Sequence, residues 1–138
     1  MTGYELFDGV FSHGDVKRAL SDEAWLQALL DVEAGLARAL ARTGLTTREA
    51  AEAVTRAAVA PNFSLAELAG ASAAAGNPIP ALVKTLRAAV PESAYGAVHC
   101  GATSQDIVDS ALMLLAQRAG AILSRDLRAA AAAAAELT

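Results

Sequence analysis

The chain has 138 residues, of which 54% are hydrophobic, 19% charged and 4% aromatic, and its formal net charge at pH 7 is −4. This length fits one domain of ordinary size, since single cores usually occupy roughly 100–200 residues. The acidic balance argues against nucleic acid or an anionic membrane as partner, because both require clustered Lys and Arg. Cys100, the single cysteine, excludes an internal disulfide and a cysteine-based zinc site.

The composition predicts an all-α fold. Alanine, the best helix former, makes up roughly a quarter of the chain, far above its ordinary usage. Alternating runs of Val, Ile, Tyr and Thr, which would build a sheet, are too few. The amino-terminal residues lack the basic and apolar segments of a signal peptide, and no stretch reads as a membrane span of ~20 uncharged apolar residues. We therefore expect a cytoplasmic protein without a membrane partner.

Capping residues and helix breakers predict five helices, with approximate ranges 21–44, 46–60, 64–76, 80–90 and 104–138. The first begins at Ser21, a good N-cap, and ends at Gly44. The second and third each begin with a hydroxyl residue three positions before a glutamate, the pattern of a capping box. These pairs are Thr46 with Glu49 and Ser64 with Glu67. Pro80 serves as a first-turn proline of the fourth helix.

Glu33 interrupts the apolar stripe of the first predicted helix, which comprises Leu26, Leu29, Leu30, Leu36, Ala37 and Leu40. A carboxylate on such a stripe is buried or half-buried and needs a hydrogen-bonding partner. We expect that partner to be a neighbouring backbone group or an arginine. A direct contact with substrate is the alternative.

The last predicted helix has apolar residues over well over half of its circumference, so it needs partners on several sides. From residue 104 to residue 138 it would extend roughly 50 Å at 1.5 Å per residue, longer than a compact domain of this size is wide. It runs into a series of alanines without a terminating glycine or proline. We expect a helical domain over residues 1–100 and, over 101–138, the first part of a helix from a larger bundle.

Most of the chemical capability of the chain lies between His99 and Asp109, where an imidazole, two hydroxyls, an amide and two carboxylates surround a glycine turn. Thr103, Ser104 and Gln105 stand at a helix amino terminus, where free N–H groups favour a bound carboxylate or phosphate. His99 can exchange a proton at neutral pH. The alternative is an ordinary cap, in which the acidic residues complement the helix dipole.

Two motifs give the sequence a specific resemblance. The run from His99 to Asp106, His-x-Gly-Ala-Thr-Ser-Gln-Asp, with Asp109 behind it, resembles the second signature of the fumarase/aspartase superfamily, in the form found in adenylosuccinate lyases and 3-carboxy-cis,cis-muconate cycloisomerases. Gly76-Asn77-Pro78, followed by Leu82-Val83-Lys84, is similar to the cycloisomerases, whereas adenylosuccinate lyases tend to carry Thr-x-His-Asp there. The resemblance extends from Leu6 to about Arg118, and the opening Leu6-Phe7-Asp8 also follows the cycloisomerase pattern.

The sequence also departs from the superfamily pattern. A third signature, of the Gly-Ser-Ser-x-Met-Pro kind, normally lies far downstream and supplies the serine thought to be the base, and it is absent here. The second histidine region is absent as well. The chain therefore looks like the amino-terminal domain plus the start of one bundle helix. Since the resemblance implies active sites assembled from three subunits, these residues by themselves are expected to be inactive.

The resemblance implies a cycloisomerase that converts 3-carboxy-cis,cis-muconate to 4-carboxymuconolactone in protocatechuate degradation, as a homotetramer acting on a small tricarboxylate. It implies neither a cofactor nor a metal. The implied catalytic residues are His99 and Ser104, and Asn77, Thr103 and Gln105 are the implied substrate-binding residues. A lyase of the adenylosuccinate lyase type and a non-catalytic helical interaction module remain the alternatives.

Other polar and aromatic residues carry weaker expectations. His13 is interpreted as a solvated loop residue, and Trp25 as part of the core. Three arginines of the last predicted helix, Arg118, Arg125 and Arg128, have the spacing of an exposed helical face, so we expect solvation rather than anion binding.

Overall fold

The computed structural model describes residue 10 and residues 14–137, and the regular structure of that part is entirely helical. Six α-helices follow one another: α1 Gly14–Ala19, α2 Asp22–Arg42, α3 Arg48–Ala57, α4 Leu65–Ala75, α5 Ile79–Ala88 and α6 Ser104–Ala135. Short 3-10 helices cover Ala60–Asn62 and Glu92–Ala97. The predicted all-α fold is confirmed.

The serine caps lie where the sequence predicts them. The Ser21 hydroxyl accepts a hydrogen bond from the Ala24 N–H at 3.2 Å, and Ser64 accepts one from Glu67 N–H at 3.3 Å. Each bond satisfies one of the N–H groups that a helix leaves without an internal partner. These two helix starts are therefore fixed by local sequence.

The predicted cap of α3 is displaced by one residue. Thr47, rather than Thr46, is the N-cap, and its hydroxyl accepts from the Ala50 N–H at 3.1 Å. Thr47 has the extended backbone conformation that an N-cap requires, with φ −83° and ψ 158°. The capping pair predicted for Thr46 and Glu49 is therefore wrong, because the three-residue spacing is met from Thr47 instead.

The helix α1 was not predicted, and it buries none of its residues. With six residues it is too short to show an apolar periodicity. Its contact with α6 includes an ion pair between Asp15 and Arg125 at 2.8 Å. Helix ends also differ: α3 ends at Ala57, three residues before the expected end, and α5 ends at Ala88, two residues before its expected end.

One core joins the amino-terminal helices to the beginning of α6. The helix α2 lies at its centre and packs against both α3 and α6, while the 3-10 helix Glu92–Ala97 packs against α3. The largest fully buried side chains are Leu30, Ile79, Leu82, Leu86, Ile107, Leu115, Glu33, Val54 and Val98. Buried alanines on α2, α3 and α6 let these helices approach closely.

Only one stripe of α6 is covered within the described part of the chain. The stripe comprises Ile107, Ala111, Leu115 and Ala119, which recur every four residues. From Leu123 onward every described residue of α6 is exposed. By length and composition α6 is also apolar enough to cross a membrane, a weak indication that the core helix of a soluble protein gives equally.

Candidate active site

The loop between the 3-10 helix Glu92–Ala97 and α6 brings four predicted site residues together: His99, Thr103, Ser104 and Gln105. Two residues of this loop have left-handed backbones, His99 with φ +58° and Gly101 with φ +73°. Glycine adopts that conformation without strain, whereas a residue with a Cβ rarely does. The tight turn places His99 directly before the amino end of α6.

Glu33 of α2 holds His99 from inside the core. Its Oε1 lies 2.6 Å from His99 Nδ1, and its Oε2 accepts from the backbone N–H of His99 at 3.0 Å. The Glu33 side chain is fully buried, and that of His99 is 16% exposed. The expected buried carboxylate is confirmed, but the expected partner, a neighbouring backbone group or an arginine, is wrong: the partners are the ring and the backbone N–H of a histidine 66 residues away.

Thr103 caps α6 through a reciprocal pair with Asp106. Asp106 Oδ2 accepts from both the N–H and the hydroxyl of Thr103, at 2.8 and 2.9 Å, and the Asp106 N–H donates to the Thr103 hydroxyl at 3.4 Å. Because these bonds favour the ionised carboxyl, they lower the pKa of Asp106, and His99, when its ring is protonated, lowers it further. Thr103 therefore shapes the loop.

Ser104 and Gln105 occupy the first turn of α6, and their environments differ. The Ser104 side chain is half-buried, and its hydroxyl has no hydrogen-bond partner within residues 14–137. The Gln105 side chain is exposed, and its Nε2 donates to Asp109 Oδ1 at 2.6 Å. A helix leaves its first N–H groups without internal partners, so Ser104 offers both an N–H and a hydroxyl to an anion.

Asn77 lies apart from this loop in chain position, at the start of α5. Its Oδ1 accepts from the Ile79 N–H at 2.9 Å, which fixes the turn ahead of the helix. In the described part of the chain no hydrogen bond joins Asn77 to residues 99–105. The bond leaves the amide NH₂ of Asn77 as the group for binding substrate, and that role stays a prediction.

Arginines of α6 are exposed as expected, and two of them pair with carboxylates of the same chain. Arg118 binds Asp31 of α2 at 2.5 Å, and Arg125 binds Asp15 at 2.8 Å. These pairs fasten α6 to α2 and α1. Trp25 packs partly buried against the core, as expected. His13 and the opening Leu6-Phe7-Asp8 lie outside the described residues.

The residues that the structure describes contain no group of three or more His, Cys, Asp or Glu side chains placed to hold a metal ion. The chemical groups gathered at the loop are an imidazole, a free hydroxyl and helix N–H groups. Together they can transfer a proton and bind an anion.

No protein-family model matches the chain, whereas individual enzymes do. A 3-carboxy-cis,cis-muconate cycloisomerase from Pseudomonas aeruginosa is 43% identical over 90% of this chain and 28% of its own length. The crystal structure of the β-carboxy-cis,cis-muconate cycloisomerase from Acinetobacter calcoaceticus superposes with a TM-score of 0.84 at 36% identity, over 90% of this chain and 30% of that one. This chain is homologous to enzymes of the fumarase/aspartase superfamily.

Lyases of the superfamily match as well. A nitrosuccinate lyase from Streptomyces davaonensis is 44% identical over 86% of the chain and 26% of its own length. An adenylosuccinate lyase from Pyrococcus abyssi is 38% identical over 83% of the chain and 25% of its own length. The chain thus spans about 25–30% of the length of these fumarase/aspartase relatives.

Sequence reasoning missed Glu33 as the residue that holds His99. A signal was present, because Glu33 is the one acidic residue on the apolar stripe of α2, and a carboxylate there needs a buried partner. Nothing in the local sequence pointed to residue 99.

Proposed function

We propose that this chain supplies the amino-terminal part of a 3-carboxy-cis,cis-muconate cycloisomerase. The observation that carries the proposal is the placement of His99. A fully buried carboxylate holds its ring, and the residue stands at the amino end of a long helix in a chain similar to cycloisomerases. A proton-transfer group beside free helix N–H groups suits a reaction that protonates carbon while binding carboxylates.

In the proposed reaction a substrate carboxylate oxygen forms a bond to one carbon of a C=C bond, and the neighbouring carbon takes up a proton. The product is an isomer of the substrate, and no cofactor or metal takes part. His99 transfers the proton. Ser104 binds a substrate carboxylate through its hydroxyl and N–H, and so steadies the negative charge that develops. Asn77 and Gln105 bind the other carboxylates through the amide hydrogens that remain. Thr103, whose N–H and hydroxyl both donate to Asp106, binds one by exchanging Asp106 for the substrate.

The remaining parts of the site come from regions that this sequence lacks. We propose a cytoplasmic homotetramer in which the serine loop and the second histidine region of other subunits complete the site around His99. Residues 1–100 form the helical domain, and residues 101–138 form the first part of a bundle helix. The exposed apolar side chains on α6, Leu112, Met113, Leu123 and Leu127, support this role.

A lyase acting on nitrosuccinate is the second candidate, favoured by the 44% identity to the Streptomyces enzyme. Adenylosuccinate lyase activity is less well supported, because Gly76-Asn77 follows the cycloisomerase pattern. A non-catalytic module is disfavoured by Glu33, since a buried charge pair stabilises a fold no better than apolar residues of similar volume.

Two chimaeras test the proposal. In one, residues 1–138 replace the aligned segment of the Pseudomonas aeruginosa cycloisomerase, and in the other they replace that of the Streptomyces nitrosuccinate lyase. Each is assayed with its parent's substrate, and its kcat/KM is compared with that of the parent. We expect the cycloisomerase chimaera to keep the larger fraction of parental activity. The opposite ranking would favour the lyase, and two folded, assembled but inactive chimaeras would contradict both.

A further inference from the structure

We propose that Glu33 is the positioning residue for His99, clamping its backbone and its ring so that Nε2 faces the substrate. The proposal rests on the assignment of His99 to proton transfer. The side chain of Glu33 is fully buried, so Glu33 acts on the reaction through His99.

The burial of Glu33 is the first argument. It is the one charged side chain that is buried in the described part of the chain, with no exposed surface. Taking a carboxylate out of water costs several kcal/mol unless its partners are well placed. A core position that only needed filling would be served as well by leucine or methionine. Glu33 therefore does something that an apolar residue cannot do.

The clamp geometry is the second argument. One oxygen of Glu33 holds the ring nitrogen Nδ1 and the other holds the backbone N–H of the same residue, at 2.6 and 3.0 Å. Two bonds to one residue fix both the backbone and the ring. The backbone of His99 is left-handed, with φ +58°, a conformation that persists for a residue with a Cβ only where its surroundings hold it. The carboxylate is the group that holds it.

The position of the proton follows from the donors and acceptors. The backbone N–H can only donate, so Oε2 accepts, and the 2.6 Å contact between Oε1 and Nδ1 contains one proton. With that proton on Nδ1, Nε2 keeps its lone pair, so it can take up the proton that it then passes to the substrate carbon. When Nε2 is protonated, the carboxylate balances the charge of the imidazolium.

Other charged groups near His99 leave this arrangement undisturbed. On α6, the pKa of Asp106 is lowered slightly by His99, but the Asp106 carboxylate accepts its hydrogen bonds from Thr103. From α5, Arg87 donates to the Val98 carbonyl at 3.3 Å and not to Glu33. Glu33 is thus the carboxylate that contacts the imidazole.

NMR of the 138-residue chain tests the clamp without any activity. The chain has two histidines, so a ¹⁵N spectrum of the rings is simple, and His13→Asn assigns His99. When the ring of His99 is neutral, we expect its proton on Nδ1 and a bare Nε2. In Glu33→Gln the ¹⁵N chemical shifts of both ring nitrogens should move toward the average of the two tautomers. The control is Glu52→Gln, at an exposed glutamate of α3, in which these shifts should stay unchanged. A neutral wild-type ring that is already averaged, or that carries its proton on Nε2, would overturn the proposal even if Glu33→Gln fails to fold.

A double-mutant cycle in the active chimaera tests the function of the clamp. Glu33→Gln should lower kcat roughly 10²–10⁴-fold with KM changed only a few-fold, the usual loss when proton transfer is disabled. When Glu33→Gln is combined with His99→Asn, activity should fall by no more than about threefold below that of His99→Asn alone. The effects of substituting residues that act as a unit are not additive. Full additivity would mark Glu33 as merely structural. If His99→Asn itself changes the activity little, the proposed function is wrong, and the NMR result still tests the clamp independently.

Discussion

The first half of α6 has one buried face and the second half has none, although both belong to one continuous helix. In the first half Ile107, Ala111 and Leu115 are at most 1% exposed and lie in the same core as α2. In the second half Leu123 is 49% and Leu127 69% exposed. Exposed ion pairs fasten both halves, Arg118 with Asp31 in the first and Arg125 with Asp15 in the second.

The first half of α6 is stabilised by the domain itself, whereas the second half presents its apolar residues to other chains. The first half completes the core, and its amino end carries the candidate site. The second half repeats apolar residues that the described part of the chain leaves uncovered, as expected for a bundle helix whose neighbours come from elsewhere. A helix needs packing on its apolar faces to be stable, so the two halves should respond differently to the same substitution.

The largest expected contrast in stability comes from truncating one leucine in each half. Leu115→Ala removes a fully buried side chain and should lower the free energy of unfolding by about 2–5 kcal/mol, from lost burial and the cavity left behind. Leu127→Ala should change it by no more than about 0.5 kcal/mol. Urea unfolding at low protein concentration measures both, and equal losses would refute the division of α6.

Self-association is the next effect. Burial of apolar surface contributes about 25 cal/mol per Å², so covering Leu112, Leu123 and Leu127 is worth several kcal/mol. We expect light scattering to show that the chain is not monomeric at hundreds of micromolar and that Leu123→Gln with Leu127→Gln shifts it toward monomer. The control is Thr43→Gln, at the exposed residue that follows the last residue of α2. A wild-type monomer at that concentration would contradict this expectation.

A smaller effect is expected at Gly120, where the two halves meet. A Cβ built there lies more than 4 Å from any other group, and glycine inside a helix costs roughly 0.5–1 kcal/mol relative to alanine. Gly120→Ala should therefore raise the free energy of unfolding by about that amount. Thermal unfolding followed by circular dichroism measures it, and a loss of stability would indicate that α6 bends at this glycine.

The smallest expected effects are on the pKa values of two carboxyl groups, Asp106 at the start of α6 and Asp15, which pairs with the second half of α6. The bonds from Thr103 lower the pKa of Asp106, and the hydrogen bond from Arg125 lowers that of Asp15. Each group stabilises the fold above its ordinary pKa near 3.8, and that stability is lost as pH falls through the lowered value. In ¹³C NMR titrations, Thr103→Ala should raise the pKa of Asp106 alone, and Arg125→Gln that of Asp15 alone. A shift of both by either variant would show that the two ends are coupled.

The sequence predicts helices well where the signal is local. Ser21 and Ser64 are caps in the structure because a hydroxyl three residues ahead of an N–H needs no distant partner. The same reasoning misplaced the cap of α3, where two threonines compete and the backbone of Thr47 decides. It gave no indication of α1, whose ion pair with α6 joins Asp15 to a residue 110 positions later.

The candidate site was predictable in part for the same reason. The residues between His99 and Gln105 are adjacent in the chain, so their motif brings them together before any folding is considered. Glu33 joins them across 66 residues, and only the packing of α2 beneath the loop makes that contact. The structure also shows that Thr103 and Gln105 already have partners, which leaves Ser104 as the free hydroxyl.

His99→Asn in the active chimaera tests the central claim, that the histidine at the amino end of α6 transfers a proton, most directly. Asparagine keeps a polar side chain of similar reach but cannot exchange a proton near neutral pH, so kcat should fall roughly 10²–10⁴-fold, with helix content and subunit assembly unchanged. His13→Asn provides the matched control and should retain activity. A His99→Asn chimaera that is folded and works within a factor of a few of the unsubstituted one would contradict the claim.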